Sequence, residues 1–262
     1  MRRYVFGMLA VLGLVALAVQ AEDFWVKKDW KQWNKDQCTK LLQDSPWAFK
    51  FAVSQVQLSS ALPGDSGLAS EGAGGENKLE VDYFVQDRSS VPIREAYIRE
   101  LEINNKYDKM DDARKKSFDQ QAQALLDRTF DDVILIHVEY GSNVQRFERQ
   151  LADYWKTLPE NTIPTDTFLI NQKGDHIAPI RFVSQKNADY SFDLYFPRLK
   201  SGEPIVQDGD KSFSIEFPYP AVGEQTSGAN ASGGGGIATL GKGRVLAEFK
   251  VEKMVWKGKP ST

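Results

Sequence analysis

The run Val133-Ile134-Leu135-Ile136 constrains the fold of this chain more than any other segment. A strand that is apolar on both faces is stable only where both faces are covered. Residues 132–140 are therefore expected to form a central strand, buried by helices on at least one side. The same strand carries His137 and, two residues on, Glu139, which period-two alternation places on one side of it.

Other strands and helices follow around it. Residues 47–58 alternate Trp47, Phe49, Phe51 and Val53, and residues 78–86 alternate Leu79, Val81, Tyr83 and Val85, both as strands. Asn34 with Gln37 three residues later forms a capping box that opens a helix to about residue 42, with Cys38, Leu41 and Leu42 on one face. Pro46 stops it, because the residue before a proline is pushed out of helical geometry. Ser89 or Ser90 caps a second helix, with Pro92 near its first position and Ala96, Tyr97 and Leu101 facing inward. Two more helices are expected at 112–128 and 144–158, the latter from Val144, Phe147, Leu151, Tyr154 or Trp155, and Leu158 at helical spacing. Strands at 167–170, 177–183, 190–197, 211–217 and 244–256 complete the pattern. Stretches 59–77 and 221–243, rich in Gly, Ser and Ala, have the composition of flexible loops. The expected architecture is α+β, one mixed, largely antiparallel sheet flanked by helices, forming a single domain over residues 22–262.

The first residues set the expected address. Arg2 and Arg3 precede an uncharged apolar run, and Val19-Gln20-Ala21 offers small residues for cleavage before Glu22. Residues 1–21 thus read as a signal peptide, and the mature protein as secreted or periplasmic. Loss of Arg2 and Arg3 moves the net charge from −3 to −5. A weakly acidic chain of mixed sign offers nucleic acid no basic footprint, and no later run is long and apolar enough for a membrane span. An exported chain with one cysteine, Cys38, cannot hold itself together by disulfides, so its core must do so.

Chemistry has few anchors in this sequence. His137 with Glu139 could serve as a general base in a secreted hydrolase; alternatively His137 is a histidine of the core or sheet surface, satisfied by a neighbouring carbonyl. The only other histidine is His176, so a three-ligand metal site is not expected. No nucleophile elbow is present: Ser66 and Ser232 sit in loops without a following helix. The glycine-rich run ending in Lys242 leads into a strand where a phosphate loop needs a helix. Asp208-Gly209-Asp210 lacks the remaining positions of a calcium loop. No cofactor is expected. Trp25, Trp30 and Trp33 could bind a protein or carbohydrate partner, or could staple the N-terminal segment onto the sheet. Cys38, on the apolar face of a short helix, reads as a packing residue. The balance favours a non-enzymatic binding or interaction protein of the cell envelope.

The block Trp33-Asn34-x-x-Gln37-x-x-x-Leu41-Leu42-x-Asp44-Ser45-Pro46-Trp47-Ala48 resembles the start of a family of small secreted proteins from acidobacteria. Pro92-Ile93-Arg94-Glu95-Ala96, Phe196-Pro197-Arg198 and the ending Phe249-Lys250-x-x-x-Met254-Val255-x-x-Gly258-Lys259 match later landmarks. Some members carry a Gly-Trp-x-Thr-Asp domain label; that pentapeptide is absent here. The resemblance implies secretion and carries over no catalytic residue. N-terminal sequencing of exported material is expected to begin at or near Glu22, and recovery of intact residues 1–21 in the membrane fraction would contradict the leader assignment.

Overall fold

The computed structural model describes residues 24–57, 77–158, 164–184, 190–223 and 239–261. The expected leader and most of the two glycine-rich stretches lie outside the described residues. Five helices occur among these: α1 (Phe24–Lys27), α2 (Lys35–Gln43), α3 (Val91–Asn104), α4 (Asp112–Leu126) and α5 (Gln145–Thr157). The first seven strands are β1 (Ala48–Gln57), β2 (Asn77–Asp87), β3 (Val133–Ser142), β4 (Phe168–Ile170), β5 (His176–Ile177), β6 (Arg181–Ser184) and β7 (Ser191–Pro197). Then come β8 (Leu199–Lys200), β9 (Glu203–Pro204), β10 (Phe213–Tyr219), β11 (Val222–Gly223), β12 (Thr239–Leu240), β13 (Gly243–Phe249), β14 (Val255–Trp256) and β15 (Lys259–Pro260). The fold is α+β.

The strands do not form one sheet. A five-stranded sheet has the order β1-β2-β3-β7-β6, and a four-stranded sheet the order β13-β10-β4-β5; the remaining strands form two-stranded ladders. Every ladder among the described residues is antiparallel. The expected strand at 177–183 is split because Pro179 has no N–H to donate. β5 pairs with β4 in one sheet, and β6 pairs with β7 in the other. The expected final strand at 244–256 likewise ends at Phe249, where a 3₁₀ turn over Val251–Lys253 leads into the β14–β15 hairpin. Lys257 and Gly258 turn that hairpin with φ of 48° and 76°, the left-handed pair a tight two-residue loop requires. The ends of the stretch 221–243 are not loop: Val222 and Leu240 are buried register partners of β11 and β12. Gly243 opens β13 opposite Tyr219, whose ring leaves no room for a Cβ there.

The two sheets face each other across an aromatic core. Phe217 of β10 lies 5.8 Å from Tyr83 of β2 and 5.6 Å from Phe192 of β7, ring centre to ring centre. α5 inserts Trp155 between them, 4.3 Å from Phe192. The four-stranded sheet is one-sided: Val245, Ala247 and Phe249 of β13 are buried, while Leu246 between them is exposed. The expected capping box opens α2, with Asn34 and Gln37 each accepting the other's backbone N–H. α2 and α3 cover the opposite face of the five-stranded sheet. Ser90, the residue before α3, makes no side-chain cap bond to that helix, though its carbonyl accepts from the Arg94 N–H. Its hydroxyl donates to Asp87 Oδ2 at 2.8 Å and also lies 3.0 Å from the Ser261 carbonyl.

Trp47 joins this helix layer to the C-terminal segment. Its ring is 0% exposed, and its Nε1–H donates to the Ser261 carbonyl at 2.7 Å. Trp47→Ala removes a large buried ring and leaves that carbonyl with one donor fewer, so chemical denaturation is expected to read a loss of about 3–5 kcal/mol. A change within about 0.5 kcal/mol, as for a surface residue, would contradict this placement.

Candidate functional site

Register builds the most polar row in the five-stranded sheet. Gln86 of β2 lies opposite His137 of β3, and His137 lies opposite Asp193 of β7. Directly opposed residues project to one face, so the three side chains stand side by side across three strands. His137 Nδ1 is 2.6 Å from Asp193 Oδ1, and its Nε2 is 3.3 Å from Glu139 Oε1. Arg88 donates from Nη2 to the same Glu139 oxygen at 3.1 Å and from Nε to Gln86 Oε1 at 3.3 Å. The Gln86 amide donates in turn to the Leu42 carbonyl at the end of α2, at 3.0 Å. Tyr97 of α3 covers the Arg88 guanidinium at 4.6 Å.

The row grades from dry to wet. The side chains of His137 and Asp193 are 5% and 13% exposed, whereas Glu139 is 44% exposed. Burial alone would raise the Glu139 carboxyl. The hydrogen bond and charge of His137 and the charge of Arg88 outweigh burial and hold it below its ordinary value. An imidazole between two carboxylates can store and relay a proton, but both of its nitrogens are already engaged. Among the described residues, no hydroxyl or thiol hydrogen-bonds the imidazole. The Cys38 thiol is unsuited to nucleophilic work: burial, with the charge of Glu100 adding to it, pushes the thiol up to about 12.

Beside the row opens a cavity of about 110 Å³. Asp193 forms part of its wall, together with Arg88, Arg94 and Arg128. Arg94 is 5% exposed. Its Nη1 donates to the carbonyls of Leu125 and Leu126, the last residues of α4, at 3.1 and 3.3 Å. The free C-terminal carbonyls of that helix thereby receive a cation, which also suits the helix dipole.

The structure brings His137 and Glu139 together, as alternation along β3 requires. His176 is exposed on β5 in the other sheet, its ring edge-on to Phe168 at 5.2 Å, and takes no part in the row. Among the described residues, no group of three or more His, Cys, Asp or Glu side chains could hold a metal ion. Trp25 and Trp33 are not available to a partner. Both are buried, Trp25 edge-on to Trp47 at 6.0 Å and Trp33 edge-on to Trp256 at 5.9 Å, while Trp30 packs half-buried against the same core. These rings staple the N-terminal segment to the C-terminal hairpin.

Sequence reasoning missed Asp193, Gln86, Arg88, Arg94 and Arg128. Asp193 did leave a signal: an aspartate between Phe192 and Leu194 in a strand is a residue type that strands disfavour. Comparison with family models, curated proteins and solved structures finds no match.

The Glu139 shift makes a pH prediction. A carboxyl held below its ordinary value of 4.5 contributes stability that is present above that pH and is lost as pH falls through the folded value. Glu139→Gln is expected to flatten the acid limb of the stability profile below about pH 4.5, by about 1 kcal/mol or less because the carboxylate is half exposed. Superimposable acid limbs for wild type and variant would overturn the assignment.

Proposed function

We propose that the chain is an exported, non-enzymatic binding protein of the cell envelope. Its binding site is the region where the polar row meets α3 and the end of α4. The observation that carries this reading is the engagement of both His137 nitrogens by carboxylates, with no hydroxyl or thiol on the imidazole, directly beside an arginine-lined cavity. A hydrolase built on His137 needs one nitrogen free for a nucleophile or a water, with the other oriented by a carboxylate. Here the second position is taken by Glu139, itself tied to Arg88.

The secreted or periplasmic address rests on the leader pattern of residues 1–21 and on the resemblance carried by the Asp44–Ala48 block. No helix among the described residues is long and apolar enough to cross a membrane. Protein and carbohydrate partners stay within the proposal as ligands for the exposed margin of the sheet, where Glu139 reaches solvent.

The alternative, a secreted hydrolase using His137 with nearby carboxylates, is separable by experiment. Wild type and His137→Gln are compared on chromogenic carboxylic esters, phosphate esters, glycosides and peptides. The expected result is background hydrolysis by both proteins. Turnover by wild type that falls about 100-fold or more in the variant, the size of a general-base contribution, would replace the binding reading with the hydrolase.

A further inference from the structure

Three arginines and one aspartate line the cavity beside His137. Arg88 has Glu139 as its partner, and Asp193 has His137. Neither Arg94 nor Arg128 forms an ion pair with a carboxylate among the described residues. Both guanidinium groups share one aromatic ring, lying 5.1 and 4.8 Å from Phe130. A buried guanidinium normally has every donor occupied, because an unmade hydrogen bond in a dry site costs the full desolvation of that group. Arg94 is buried in the cavity wall, yet its Nε–H has no acceptor. An acceptor carrying negative charge complements the two guanidinium groups of the wall that lack a carboxylate partner; the Arg94 Nε–H itself is closed off from the open space.

The rest of the wall limits what the acceptor can be attached to. Ile93, Tyr97, Leu125, Phe130 and Leu135 surround the space with hydrocarbon and aromatic surface. The Asp193 carboxylate in the same wall disfavours a second negative charge on the occupant, which counts against inorganic phosphate or a dicarboxylate. A cavity of about 150 Å³ takes benzene, so one of about 110 Å³ takes a slightly smaller body. We infer that this cavity is a binding site for a small aliphatic monocarboxylate of about four to six non-hydrogen atoms, its carboxylate on Arg94 and Arg128 and its chain against Ile93, Leu125 and Leu135. This inference rests on the binding-protein reading and names its ligand class.

Calorimetric titration of the full chain with butyrate, with butyramide and inorganic phosphate as comparators, tests the inference. Butyrate is expected to bind saturably at one site, and butyramide and phosphate at least about tenfold more weakly, because they lack the single charge or the apolar body. Arg94 supports α4, so the mutational test uses Arg128, which is exposed. Arg128→Gln is expected to weaken butyrate by about tenfold with the unfolding midpoint little changed. Leu125→Phe, which fills the space, is expected to abolish binding.

Absence of saturable butyrate binding overturns the inference. So does equal binding of butyramide or phosphate, or wild-type affinity in Arg128→Gln. Each of these outcomes, with hydrolysis still at background, rejects the ligand class alone. Turnover that depends on His137 instead rejects the binding-protein reading on which it rests.

Discussion

The hydrogen bond between His137 and Asp193 holds β3 and β7 in one register, and Gln86, opposite His137, extends the polar row onto β2. Side chains alternate across a sheet, so a slip of one residue in either ladder sends a polar row into the aromatic core and an apolar row out of it. Ile134, Ile136 and Val138 alternate with Leu135, His137 and Glu139 along β3; Phe192, Leu194 and Phe196 alternate with Asp193 along β7. The slipped pairing would bury His137 or Asp193 without the other, and an uncompensated buried charge costs several kcal/mol. The apolar face drives association of the two sheets, and the polar face decides which of the possible alignments is used.

That polar face is covered unevenly, and the unevenness positions the candidate site. α2 closes it at Gln86, where the Leu42 carbonyl takes the amide. α3 closes it at Arg88 and Leu135 through Tyr97, Ile93 and Arg94. Beyond Glu139 the face reaches solvent. α3 is itself held at its start by Ser90 and Asp87, and the same Ser261 carbonyl accepts from Trp47 and contacts Ser90. The C-terminal segment thus ties the start of α3 to the start of β1. α4 has no fully buried residue; the Arg94 guanidinium holds its end, and Tyr107 holds its middle through Asp119 and Phe118.

Much of this was legible before any coordinates. The capping box at Asn34 and Gln37, the stop at Pro46, the central place of β3 and the pairing of His137 with Glu139 follow from local rules that tertiary contacts reinforce. The division into two sheets was not legible. The chain from Ile177 to Val183 carries strand-forming residues at both ends, and the single missing N–H of Pro179 does not say to which neighbour each end turns. The tryptophans near the N-terminus were ambiguous for a related reason: an aromatic ring serves a core and a binding surface equally well, and only its neighbours decide between them.

The sequence by itself determined which residues alternate, where helices begin and stop, and that one histidine and one carboxylate share a side of the central strand. Those properties depend on backbone geometry and on neighbours within a few positions. Only the tertiary structure decided that Asp193 would complete the row, that Arg94 would be buried with a donor left over, and that Trp25 and Trp33 would be hidden. Such outcomes depend on pairings between residues tens of positions apart, whose energies are set by burial and register rather than by neighbours in the chain.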